Sequence, residues 1–262
     1  MRDYAKMIWN ILKYALTYLI FQVVIGAISG IFIITKYGVN SGQKIYYDNI
    51  FLITLLAAIA SLLIYSAFLR GSGENLTKRC SFKRISLKDT VLIIICGIGF
   101  SAFTLEIIQM VSDRFESYKD VSNTIIQGTN SFIGIACVVL LLPIFEEVLF
   151  RGLIFNELKR RLNVIVSIII QALIFGVFHG NLLQGLYAFI LGLGLAAVYY
   201  WTKSLWSNII FHVTFNFMGS MGSVILYSVM QKHMIIYGLI SVIIIMTALI
   251  TIYKNNNLEM VN

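Results

Sequence analysis

Two glutamates, two histidines and two asparagines stand in this chain inside runs that are otherwise apolar. Glu146, Glu147 and Arg151 lie in LLPIFEEVLFRG, His179 closes FGVFHG, and Asn208, His212 and Asn216 follow one another at intervals of four in SNIIFHVTFN. Ionisable groups within hydrocarbon cost several kcal/mol or require a paired, wet cavity, so each is a functional candidate by default.

Helical spacing sorts them. Glu147 and Arg151 are i and i+4 with the acid N-terminal to the base, the favourable order for an ion pair on one helix face. Glu146 is rotated by about 100° from Glu147 and suits that partner less well. A division of labour follows, with Glu147 and Arg151 as an orienting pair and Glu146 as the carboxylate for chemistry. Pro143 removes the hydrogen bond to the carbonyl of Val139, which is expected to kink the helix and open space beside the glutamates. Asn208, His212 and Asn216 form one polar stripe that must face a bundle interior. Interhelical hydrogen bonding would account for such a stripe by itself. It does not account for two histidines and a glutamate spread over three apolar segments.

A carboxylate and an imidazole converging in a water-accessible cavity can deprotonate water. If that water attacks a peptide carbonyl, donors on His212 and Asn216 can hold the oxyanion. A second route has Glu146, His179 and His212 hold a divalent metal such as zinc, which activates the same water. Residue types leave both routes open. No HExxH is present and no serine or cysteine is spaced to pair with a histidine, so covalent catalysis is the weaker reading. Counted from the flanking basic residues, Glu146 lies about 20 Å, His179 about 27 Å and His212 about 14 Å into their segments, so tilt, kinks or protruding helices must bring them level. Glu106 is read as an interfacial acid, and His233 beside Lys232 as a loop histidine.

The elements that must position these groups are set by composition. With 59% hydrophobic residues, 12% charged and a mean hydropathy of +0.86 over 262 residues, the chain is a membrane protein. Apolar segments fall at about 7–35, 49–69, 90–112, 130–156, 163–180, 183–202, 204–230 and 234–253, which predicts an all-α polytopic membrane helix bundle of about eight crossings. The first segment is too long for a cleavable signal peptide. Basic residues concentrate in alternate loops, placing both termini in the cytoplasm. The net charge of +8 therefore reads as topology and not as nucleic-acid binding. The most basic loop, 70–88, is expected to lie near lipid head groups. The three cysteines fit neither a disulfide framework nor a CxxC motif and read as packing residues. No internal repeat supports a transporter. We expect one integral membrane domain over 1–262, with a variable part at 1–112 and a catalytic core at 130–230.

EEVLFR (146–151), FGVFH (175–179) and HVTFN (212–216) match EExxxR, FxxxH and HxxxN in order and on successive apolar segments. In this the chain resembles the CPBP or Abi family of intramembrane proteases, which includes the type II CAAX prenyl endopeptidases and bacterial proteins linked to bacteriocin processing or self-immunity. The resemblance covers about 131–220; the first three helices match only in general character. It implies eight helices around an intramembrane cavity at the cell membrane, with Glu146 and His179 activating water and His212 and Asn216 stabilising the oxyanion. Glu147, Arg151 and Asn208 would support them. The implied cofactor is a divalent metal or none, and the implied partners are membrane lipid and a peptide or membrane-protein substrate. The Ile, Lys and Asn usage suggests a bacterial chain, for which a leader peptide, pheromone precursor or membrane-protein segment is the expected target. The rival readings are a non-catalytic immunity or membrane regulatory partner and an ion or proton transporter.

Overall fold

The computed structural model describes residues 2–222 and 233–258. Among them are eleven helices: α1 (Arg2–Tyr37), α2 (Val39–Asp48), α3 (Ile50–Arg70), α4 (Leu76–Cys80), α5 (Leu87–Val111), α6 (Ser117–Gly128), α7 (Phe132–Lys159), α8 (Val164–Val177), α9 (Leu182–Thr202), α10 (Leu205–Ser220) and α11 (Met234–Leu258). Their starts are written in side chains that accept a backbone N–H. Ser86 caps α5, Ser131 caps α7, Asn163 caps α8 and Asn181 caps α9. Such a cap satisfies a donor that the first turn leaves open, at about 1 kcal/mol.

Six helices, α1, α3, α5, α7, α9 and α11, are long and apolar enough to cross a bilayer, and the chain is a multi-pass membrane protein. Of the eight crossings expected from hydropathy, six meet this measure among the described residues. The apolar helix α8 has only 14 residues, about 21 Å at 1.5 Å per residue, against a hydrocarbon layer of about 30 Å. Its hydropathy continues through Phe178, but the backbone turns at Gly180, where φ is +67°, and Asn181 begins the next helix. Only glycine takes that conformation without strain. α10 has 16 residues, and most of the expected extension to 230 lies outside the described residues.

The chain divides into two compact units, Met1–Cys80 with Asp120–Leu162 and Ser81–Lys119 with Asn163–Asn262. In the first, α3 packs against α1 and α7. The Tyr65 hydroxyl donates to the Tyr14 carbonyl at 2.7 Å, and the Tyr18 ring lies 4.6 Å from that of Phe145. At one end of this unit Arg79, expected as a loop charge near head groups, is instead buried against Glu157, with Glu74 3.2 Å away. Cys80 beside it is buried over Gly152, and none of the three cysteines forms a disulfide.

In the second unit α5 packs against α10 and α11, and α8 against α9. Small residues permit the close approach usual for membrane helices. A Cβ on Gly97 would lie 2.9 Å from the Thr214 side chain, and one on Gly176 would lie 2.6 Å from the Gly185 carbonyl. Phe100 and Phe211 meet edge to face at 5.3 Å.

Candidate active site

The acidic motif sits on α7, which is not one regular helix. Residues Leu142–Glu147 are α-helical, and wide i→i+5 turns precede them at Cys137–Leu141 and follow them at Val148–Phe155. Pro143 stands inside α7, at the junction between the first wide turn and the α-helical stretch, where it donates no backbone hydrogen bond. The irregularity expected from the proline is thus taken up by widened turns, a feature often found at functional sites.

Glu147 and Arg151 are both fully buried, and the Arg151 Nη1 donates to the Glu147 Oε1 at 2.8 Å. The expected orienting pair is therefore in place. Glu146, on another face of the helix, is partly exposed. Of the two carboxylates, Glu147 acts on Arg151 more strongly than Glu146 does. Glu146 also lies within electrostatic reach of the Tyr18 hydroxyl, one helix away.

The histidines and asparagines belong to the second unit. His179 is not on α8 but in the turn after it, held by its Nδ1 to the Phe175 carbonyl at 2.9 Å. A carbonyl only accepts, so Nδ1 is the donor in this bond and carries a proton. Phe175 is the common support. Its ring stands edge to face with His179 at 5.0 Å and with His212 at 5.8 Å, so α8 and α10 bring both imidazoles to one aromatic side chain. His212 is buried and Asn216, one turn on, is partly exposed. Asn208 has the structural part of the stripe: it is fully buried and its Nδ2 donates to the Leu195 carbonyl of α9 at 2.8 Å.

A family model described as type II CAAX prenyl endopeptidase Rce1-like matches residues 128–218, a stretch that contains EEVLFR, FGVFH and HVTFN. That stretch is where the chain is similar to the Rce1-like family. A Bacillus subtilis (strain 168) protein named putative membrane peptidase YdiL is 27% identical over 224 residues, covering 80% of this chain and 86% of the relative. No solved structure matches.

The Rce1-like core thus begins shortly before α7 and ends within α10. Two of its residues were missed by the reading of polar groups: Phe175, noticed only as a motif letter, and Gln171 one turn before it. Spacing could have found both, since Gln171, Phe175 and His179 follow at intervals of four. Glu106 is buried in α5 and leans on Gly238 of α11. It lies outside the Rce1-like core. Among the described residues no group of three or more His, Cys, Asp and Glu side chains could hold a metal ion.

Proposed function

We propose that this chain is an intramembrane endopeptidase that hydrolyses a peptide bond of a membrane-associated peptide or protein. One observation carries the reading: the Rce1-like match spans all three motifs in order, each complete in its residue types. The local geometry within each unit supports it. Glu147 takes Arg151, His179 has its Nδ1 committed to a carbonyl, and Asn208 serves α9. Those contacts give Glu147, Arg151 and Asn208 supporting roles, and the proposal assigns the chemistry to Glu146, His179, His212 and Asn216, the polar residues of the three motifs.

In this proposal water donates one hydrogen bond to His179 Nε2 and gives a proton to Glu146 as its oxygen adds to the peptide carbonyl. Donors on His212 and Asn216 hold the oxyanion. Glu146 then passes the proton to the amide nitrogen, the C–N bond breaks, and the products are a carboxylic acid and an amine. Positioned acid–base groups of this kind contribute about 10²- to 10⁴-fold. The basic loops place both termini in the cytoplasm, and the substrate class is a leader peptide, pheromone precursor or membrane-protein segment.

The test compares membrane and secreted peptides of cells carrying the wild-type chain with those of cells carrying Glu146→Ala or His179→Ala. Both variants should accumulate normally and lose processing. Normal expression with full processing in both would sink the proposal and return the chain to a non-catalytic immunity or regulatory role. Elemental analysis of the purified protein, with activity measured with and without chelator, tests the metal route: zinc near one equivalent, lost together with activity, would replace the side-chain mechanism.

A further inference from the structure

Gln171 lies in the middle of α8, is fully buried, and has no hydrogen-bond partner for either its Nε2 or its Oε1 among the described residues. It stands four residues before Phe175, whose ring supports both His179 and His212, and eight before His179. On a helix that spacing keeps Gln171 on the same side as Phe175. Asn208 of the same unit is an equally buried carboxamide, and it has the Leu195 carbonyl. The contrast singles out Gln171. Burying an amide without partners is costly, and native proteins carry few such groups without a reason. Fixed groups that are unsatisfied at rest are what a binding site offers its ligand, at the expense of stability.

We infer that Gln171 is a substrate-binding residue whose carboxamide pairs with a backbone peptide group of the substrate, a reading that rests on the proposed proteolysis. A peptide drawn into a membrane-embedded site cannot leave its N–H and C=O groups bare in hydrocarbon, and a carboxamide offers the donor and the acceptor that one peptide unit needs. One helical turn separates Gln171 from Phe175, about 6 Å. An extended peptide covers that in about two residues. The imidazoles stand 5.0 and 5.8 Å from that ring, so Gln171 addresses a peptide group about two to four residues from the bond held at the histidines.

Gln171→Met, with Gln171→Leu as the second variant, separates binding from packing. The purified variants, in detergent and without substrate, should melt about 2–4 °C above the wild type, because an apolar side chain replaces an unsatisfied amide. In cells, accumulation of the peptides that depend on Glu146 should fall about ten-fold, the worth of one such hydrogen bond. Raising precursor expression should restore it, as for a loss of binding. A lowered melting point in both variants would show that the amide is satisfied within the fold and overturn the inference. So would unchanged processing, or a deficit that excess precursor leaves in place. Glu146→Ala runs alongside: if it is inactive while Gln171→Met processes normally, this inference fails by itself, and if both process normally the proteolytic reading fails with it.

Discussion

Two ion pairs, one within α7 and one just past its end, have the same length and opposite weight. Arg151 meets Glu147 at 2.8 Å with both side chains fully buried, and Arg160, nine residues on, meets Glu74 at 2.8 Å with the side chains 50% and 35% exposed. In water the second pair is screened, and such pairs contribute about 0–1 kcal/mol. The first has given up hydration on both sides, so the attraction mainly offsets desolvation, while loss of one partner strands a charge at about 3–5 kcal/mol. Distance does not distinguish them; burial does. The buried pair fixes the face of the helix from which Glu146 projects, whereas the exposed pair ties the α3–α4 loop to the end of α7.

The largest effect should come from breaking the inner pair on one side. Glu147→Gln or Arg151→Met is expected to destabilise the protein by about 3–5 kcal/mol, read as lost yield of folded protein in detergent and a lowered melting temperature. Glu147→Leu with Arg151→Met in one chain should recover most of that stability, since removing both charges leaves neither stranded. If the double variant melts as low as the single ones, the pair is worth more than its desolvation and the comparison with Arg160 is wrong in kind. Glu147→Ala should lose processing through this route, in step with its loss of folded protein, whereas Glu146→Ala should lose processing with the folded protein intact.

A smaller effect is expected at Phe175, the ring shared by both histidines. Phe175→Leu keeps an apolar side chain but removes two edge contacts of about 0.5–1.5 kcal/mol each, and processing should fall about ten-fold. Phe100→Leu is the matched control, because Phe100 packs edge to face on Phe211 in the same unit but touches neither histidine in that pairing. Both should lower the melting point, and only Phe175→Leu should slow cleavage at equal protein level. Equal activity in the two would reduce Phe175 to packing.

These contrasts also show what the sequence could carry. Hydropathy located every long helix, and the EExxxR spacing was enough to pair Glu147 with Arg151, a local contact that is made even though Arg151 lies within the wide turn that begins just after Glu147. What escaped depends on distant chain. Arg79 reads as a topology charge until Glu157, remote in sequence, is brought to it. Gln171 disappears into the run VSIIIQALIFG, because an averaged hydropathy hides one amide and nothing local shows that its partners are missing. The length of α8 was overestimated because Phe178 is apolar yet lies past the helix end, and the turn is set by Gly180 and the Asn181 cap. His179 is consequently a loop residue held by one backbone bond, a geometry that the FxxxH spacing conceals.

The smallest effect lies at the exposed pair, and its pH dependence gives the sharpest contrast with the inner one. Burial alone would raise the Glu74 carboxyl, but the hydrogen bonds and charges of Arg160 and Arg79 outweigh it and hold the group below the usual carboxylate range. A depressed carboxylate contributes stability above its unfolded value, near 4.3, and loses it as the pH falls through the depressed folded value. Arg160→Ala should therefore change the melting temperature at neutral pH only slightly, by less than the equivalent of about 1 kcal/mol, and added salt should erase the difference. Because Arg79 still faces Glu74, the variant should keep part of the acid-side decline expected as the pH falls below the unfolded carboxylate value, with its midpoint moved upward toward the unmodified carboxylate. A melting curve against pH that is identical in wild type and variant would mean that Arg79 alone sets the charge of Glu74. The loop would then be anchored by the buried arginine, and the exposed pair would contribute nothing.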